Sequence, residues 1–160
     1  MRWDDFEQAC PEIATLARER FLRDDLVLVG TIRSDGSPRI SPNEPDFAAE
    51  RFFVSMMWRS RKALDLLRDP RLVVHSVTVN REGADGDVKI YGRIVDERDP
   101  DVRAAFREAI RARIDWAPDE PNYHCFSVDV DRAGFIRFGD EPAALAWDLQ
   151  RGLRTLPNPG

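Results

Sequence analysis

Asp35-Gly36-Ser37-Pro38-Arg39-Ile40-Ser41-Pro42 and, further along, Ser60-Arg61-Lys62-Ala63-Leu64-Asp65-Leu66-Leu67-Arg68-Asp69-Pro70 decide how this chain is read. The first stretch is an Asp-Gly turn that delivers a strand carrying Arg39 and Ser41. Pro42 marks the edge or end of that strand, because proline has no N–H to give to a ladder. The second stretch is a short helix over 61–68, stopped at Asp69-Pro70. Two cations occupy its first turn, where the positive end of the helix dipole prefers anions. Free backbone N–H groups, Arg61 and Lys62 together suit a bound phosphate.

Working outward, residues 4–23 carry a rough apolar stripe of Phe6, Ile13, Leu16 and Phe21. Pro11 divides them into a short first helix and a second that begins near the proline. The runs 26–32, 38–43, 51–57, 71–78 and 88–95 read as strands, the last with Val88, Ile90 and Ile94 on one face and Lys89, Tyr91 and Arg93 on the other. Asp99-Pro100 starts a helix that runs to about Ile114, with Val102, Ala105, Phe106, Ala109 and Ile110 inward. The pattern then predicts a closing hairpin, 123–130 and 134–138, turning at Asp131-Arg132-Ala133. A last helix starts near Pro142 with Leu145 and Leu149, and the tail 157–160 frays. About six to seven mostly antiparallel strands with flanking helices predict a mainly β fold, a small barrel.

The chain has 160 residues, which fits one domain over 1–160, with N-terminal helices in 1–24 and a C-terminal helix and tail in 139–160. Its 42% hydrophobic content excludes a disordered chain. A net charge of −5, with cations interleaved among carboxylates, argues against nucleic acid as the partner. No apolar run is long enough for a membrane span, and the acidic start Met1-Arg2-Trp3-Asp4-Asp5 lacks a signal core, so the expected location is cytoplasmic. Cys10 and Cys125 have neither metal nor redox spacing and read as buried free thiols.

The order of these pieces resembles the FMN-binding split barrels of the pyridoxamine 5'-phosphate oxidase-like superfamily. They are an apolar strand, an Asp-Gly turn, a Pro-Arg-x-Ser strand, an aromatic strand, Ser-Arg-Lys, and Asp-Pro-Arg entering another strand. The resemblance covers about residues 25–98 well and continues more weakly to 138. It implies a split β-barrel, FMN as cofactor, and a homodimer in which each flavin is contacted by both chains. It assigns Arg39, Ser41, Ser60, Arg61 and Lys62 to the flavin phosphate and ribityl chain. Ser55, Met56 and Met57 then line the isoalloxazine ring, with Trp58 nearby. Taken singly, the bland reading competes: Arg61 has a surface partner in Asp65 at i,i+4.

The implied activity is an FMN-dependent oxidoreductase acting on an unidentified small molecule. Deazaflavin F420 is the alternative cofactor. A non-catalytic flavin or F420 binding or storage protein is the alternative function, and a dimeric interaction module with an empty pocket is a third. No residue stands out as a general acid or base, as expected where a flavin carries the electrons. A true pyridoxamine phosphate oxidase is not expected. The C-terminal arginine segment with its Gly-Trp pair is missing, and Glu44 and Asp46 follow the second strand. No metal site is expected: Asp85-Gly86-Asp87 lacks the spacing of a calcium loop, and His124 and Cys125, adjacent on a strand, point to opposite faces.

Overall fold

The computed structural model describes residues 1–157; the end of the expected frayed tail, 158–160, lies outside them. Two helices, α1 (Trp3–Ala9) and α2 (Pro11–Asp24), open the chain, with Pro11 at the first turn of the second. They lay Trp3, Phe6, Ile13 and Phe21 into the main core, all fully buried. The strands β1 (Val27–Ile32) and β2 (Pro38–Asn43) follow as an antiparallel pair. Gly36 supplies the positive φ of 84° in their turn, and the Asp35 carboxylate accepts the Ser37 N–H at 2.9 Å. β2 is the last strand of the main sheet, whose order is Gly152–Thr155, Ala143–Asp148, Phe126–Arg137, Asp87–Asp96, Arg71–Ser76, β1, β2. Both of its prolines thus lie on an edge strand, where a missing N–H is tolerated.

The register of this pair decides which side chains meet. Val27, Val29 and Thr31 turn inward, and their partners across the ladder are Asn43, Ser41 and Arg39. Helix α3 (Arg61–Arg68) packs over β1 from that inner side. The strands β6 (Arg71–Ser76) and β7 (Asp87–Asp96) continue the sheet, and α4 (Pro100–Ile114) starts from an Asp99 cap whose carboxylate accepts the Asp101 N–H at 2.9 Å. α4 buries Val102, Phe106 and Ile110 in a smaller second core with Phe53, Tyr123 and Cys125. Ala105 and Ala109 are only half-buried.

Three expectations need correcting. The run 51–57 is not one strand but two, β4 (Arg51–Phe53) and β5 (Met56–Met57), because the two halves take different ladder partners, Asp46–Ala48 for the first and Tyr123–His124 for the second. Phe52 and Val54 enter the main core and Phe53 the second, so the segment runs between the two cores. A short strand, β3 (Asp46–Ala48), pairs with β4 through left-handed Ala49 and Glu50. The expected hairpin at Asp131-Arg132-Ala133 is instead one continuous strand, β9 (Phe126–Arg137), preceded by the short β8 (Tyr123–His124). Tyr91 pairs with Arg132 and Gly92 with Val130, so Asp131 is the extra residue of a β-bulge. Asp131 and Arg132 are exposed in succession, which in sequence imitates a turn. Gly92 is required there, since a Cβ would lie 1.9 Å from the Asp129 carbonyl oxygen.

The expected C-terminal helix is likewise a hairpin, β10 (Ala143–Asp148) and β11 (Gly152–Thr155), paired onto β9. Its turn is fixed by the Asp148 carboxylate, which accepts the Gln150 and Arg151 N–H groups at 3.1 and 2.9 Å. Trp147 is sent into the main core, 4.9 Å from the Phe6 ring. The i,i+4 spacing of Leu145 and Leu149 misled, because a six-residue strand and its turn reproduce it by chance. Cys10 and Cys125 are buried and free, as expected.

Candidate functional site

The two deciding stretches meet at α3. Asp65, on the inner face of that helix and 5% exposed, accepts a hydrogen bond from Thr31 Oγ1 at 3.1 Å and from Arg39 Nε at 2.6 Å. Arg68 approaches its other oxygen at 3.5 Å. Burial alone would raise the Asp65 pKa, but the bonds from Arg39 and Thr31 outweigh it and hold the carboxyl below its ordinary value. Arg39 is therefore neutralised inside the fold and ties β2 to α3. Ser41 is half-buried on the same face of β2.

Lys62 reaches back to the same strand, with Nζ donating to the Pro42 carbonyl and to Asn43 Oδ1, both at 2.6 Å. Burial lowers its pKa, against an opposing pull from Glu44. Arg61 differs. It is exposed, and among the described residues no carboxylate pairs with it; the i,i+4 partner Asp65 is turned inward to Arg39. Ser60, the N-cap of α3, makes no side-chain cap bond, and its Oγ is buried without a hydrogen-bond partner. The first N–H groups of any helix lack intrahelical acceptors. An uncapped helix start, an orphaned buried hydroxyl and an unpaired guanidinium thus lie in consecutive residues.

A cavity of about 660 Å³ opens beside this helix start. Ser55, Met56, Met57 and Lys62 line it, together with Asn43 and Glu44 from the end of β2 and its continuation. Its far wall comes from α4 and the segment after it, with Ile110, Trp116, Asp119 and Tyr123. Of the eight residues assigned from sequence, Ser55, Met56, Met57 and Lys62 share this lining, whereas Arg39, Ser41, Ser60 and Arg61 lie outside it. The far wall went unseen in the sequence, because Trp116 and Tyr123 reach the cavity only through the packing of α4 on β3.

Charged side chains hold that wall. Arg113 contacts Asp46 at 3.1 Å, Glu44 at 3.3 Å and Asp25 at 2.5 Å. Burial raises the pKa of Asp46, and the Arg113 charge opposes the rise. Glu44 thus lines the cavity directly, Asp46 does not, and Arg113 holds both carboxylates. Tyr123 donates to Glu120 at 2.8 Å, and Arg103 grips the same carboxylate at 2.9 and 2.6 Å while its guanidinium lies 4.6 Å from the Tyr123 ring centre. The bond from Arg103 holds Glu120 below its ordinary pKa, and burial pushes Tyr123 up. Burial also pushes the Cys125 thiol up to about 12, so it is no nucleophile at neutral pH.

Both imidazoles are engaged. His75 Nε2 lies 3.4 Å from Asp87, and His124 Nε2 accepts the Arg59 N–H at 3.1 Å. Among the described residues no three His, Cys, Asp or Glu side chains are gathered to hold a metal ion, and no helix is long and apolar enough to cross a membrane. A second hollow of about 630 Å³ lies over β7, β9 and β10. Two of its cations are already paired, Lys89 with Asp87 and Arg154 with Asp148, both at 2.5 Å.

Known proteins share the fold. The profile of the family described as Pyridoxamine 5'-phosphate oxidase matches residues 14–137. No curated protein matches the sequence. Among solved structures, a pyridoxamine 5'-phosphate oxidase-related, FMN binding protein from Nostoc punctiforme superposes with a TM-score of 0.69 at 14% identity, covering 91% of this chain and 94% of its own. HutZ, the heme storage protein from Vibrio cholerae, gives 0.64 at 16% identity, over 79% and 95%. A heme binding protein from Mycobacterium smegmatis gives 0.61 at 16% identity over 81% of this chain, which spans only 56% of that protein's length. At such identities the structures speak for the fold alone, and the family rests on the profile. With most of its length inside that profile and its sheet and helices in the same arrangement, the chain belongs to the pyridoxamine 5'-phosphate oxidase-like family of FMN-binding split barrels.

Proposed function

We propose that this protein binds FMN and works as a flavin-dependent oxidoreductase on a small molecule. The observation that carries the reading is the start of α3. Ser60 Oγ is buried without a partner, the helix has no side-chain cap, and Arg61 is unpaired among the described residues. A dianionic phosphate satisfies all three at once. Lys62 adds charge from the same turn while anchored to β2. Ser55, Met56 and Met57 then offer a largely apolar seat for a planar ring, in a cavity large enough for one. When bound, FMN supplies the electron transfer, and the protein's residues hold and orient it.

The heme binding of some structural neighbours finds less support here. His75 has both nitrogens engaged, Nδ1 with the Ser76 carbonyl and Nε2 with Asp87, and His124 is 7% exposed, stacked against Trp58 and Phe126, with Nε2 taken by the Arg59 amide, so neither presents an open nitrogen to iron. F420 and a non-catalytic binding role remain the competing readings within the family, which contains both enzymes and binders.

A second copy of the chain is part of the proposal. The outer face of the sheet runs across Ile40, Gly30, Val73 and Tyr91 in register, and Ile40 is 73% exposed. A two-fold dimer covers such a face. Mass spectrometry of ligand released from the purified protein tests the cofactor, and reduction of the loaded protein by a nicotinamide cofactor separates an enzyme from a binder. Release of F420 or heme in place of FMN would replace the reading.

A further inference from the structure

The residue before the phosphate-binding start of α3 is held in an unusual way. Arg59 has φ of 54°, the left-handed region that side chains other than glycine rarely adopt. It sits in a turn closed by the Ser60 N–H on the Met57 carbonyl at 3.1 Å. The Arg59 N–H points away from the helix and donates to His124 Nε2 at 3.1 Å. His124 is itself fixed. It pairs with Met56 across the short β5–β8 ladder. Its ring is stacked between Trp58, with centroids 4.6 Å apart and planes at 15°, and Phe126, at 5.2 Å and 19°. It is 7% exposed.

A backbone N–H can only donate, so Nε2 must keep its lone pair and the proton of the neutral ring is on Nδ1. An imidazolium has a donor at both nitrogens and cannot make this bond. Its protonation therefore sets two N–H groups against each other, one residue before Ser60 and two before Arg61.

We propose that His124 is a positioning residue for the anion-binding start of α3, and that its protonation releases the Arg59 amide and loosens the grip on phosphate. The inference rests on the flavin reading of that helix start. The charged groups acting on the ring are Asp96 of β7, which favours the imidazolium, and Arg103 of α4, which disfavours it; Trp58 and Phe126 on its two faces are uncharged. Burial is the largest influence and favours the neutral ring, so the release falls on the acid side of the ordinary histidine range. The sign discriminates between mechanisms. An imidazolium acting through space as an extra cation would tighten phosphate binding, whereas loss of the Arg59 bond weakens it.

The test uses the full-length protein, His124→Gln, which keeps an acceptor near the Nε2 position but does not titrate, and His124→Phe, which keeps the stack without the acceptor. Amide exchange by NMR, corrected for the intrinsic pH dependence, reads the bond without any ligand. The Arg59 protection factor should fall roughly tenfold as the wild-type histidine protonates, the equivalent of one hydrogen bond. It should stay flat in His124→Gln and be low throughout in His124→Phe. FMN titrations over the same range then give the ratio of wild-type to His124→Gln dissociation constants, in which the phosphate's own titration cancels. That ratio should rise as pH falls. A pH-independent Arg59 protection factor in the wild type, or a ratio that is constant or falls, overturns the proposal. Failure of FMN to bind at any pH overturns the flavin reading instead, and the Arg59 exchange then decides the role of His124 by itself.

Discussion

Arg39 and Asp65 lie 2.6 Å apart, strand edge to helix, with the carboxylate almost fully buried. The pair joins the two stretches of sequence that gave the fold away. Thr31 adds a second bond to the same oxygen because the β1–β2 register sets it directly opposite Arg39. Removing one partner of such a buried pair leaves an uncompensated charge.

Asp65→Ala should accordingly destabilise the protein by about 3–5 kcal/mol, read as a shift in the denaturant midpoint at constant m-value. A loss below about 1 kcal/mol, the range of an exposed ion pair, would contradict the buried geometry. The pH dependence has a defined sign. The folded-state pKa of Asp65 is depressed, so its contribution is full above the unfolded-state value of about 4 and is lost as pH falls through the folded value.

Arg61 and Lys62 should separate experimentally. Lys62 is tied to Pro42 and Asn43, so Lys62→Ala lowers both stability and FMN affinity. Arg61→Ala leaves stability within about 0.5 kcal/mol, as for other surface substitutions, yet costs about 1.5–3 kcal/mol of FMN binding, the worth of a charge-assisted bond. Thermal unfolding of the apoprotein beside FMN fluorescence quenching makes the comparison.

The outer sheet face, with Ile40 exposed and Gly30, Val73 and Tyr91 half-buried beside it, should hold a dimer together. Light scattering at micromolar concentration should give twice the chain mass, and Ile40→Glu should shift the protein to monomer by placing a charge in an apolar interface. A wild-type monomer under those conditions would remove the dimer and the shared flavin site with it.

Pyridoxamine 5'-phosphate and pyridoxine 5'-phosphate should not be turned over by the FMN-loaded protein in air. A second phosphate needs its own cations, and two arginines of the C-terminal part are occupied: Arg137 reaches Glu141 at 3.4 Å and Arg154 holds Asp148 at 2.5 Å. Steady formation of pyridoxal 5'-phosphate would show that one of these pairs opens to substrate.

Much of the architecture was legible because local chemistry marked it. Pro11, the Asp99-Pro100 cap and Asp69-Pro70 set helix boundaries close to where they stand. What was not legible depended on contacts between distant segments. The bulge at Asp131 looked like a turn because two exposed residues in succession carry the same signature in either case. The β10–β11 hairpin looked helical because Leu145 and Leu149 stand four apart, while the contact that directs Trp147, with Phe6, lies far away in sequence. Around the helix start, the residue types expected for a phosphate were present, but not their partners. Asp65 reads as a surface partner of Arg61 and is in fact the buried partner of Arg39, and His124 reads only as the strand neighbour of Cys125 that faces the other way, although its nitrogen holds the backbone one residue before Ser60.

Parallel titrations of the apoprotein and of Arg61→Ala with FMN and with riboflavin, which lacks the phosphate, test the central claim most directly. The account predicts that the wild type binds FMN much more tightly than riboflavin and that Arg61→Ala loses most of this preference while its riboflavin affinity stays unchanged. Equal affinity for FMN and riboflavin in the wild type, or an undiminished FMN preference in Arg61→Ala, would contradict it.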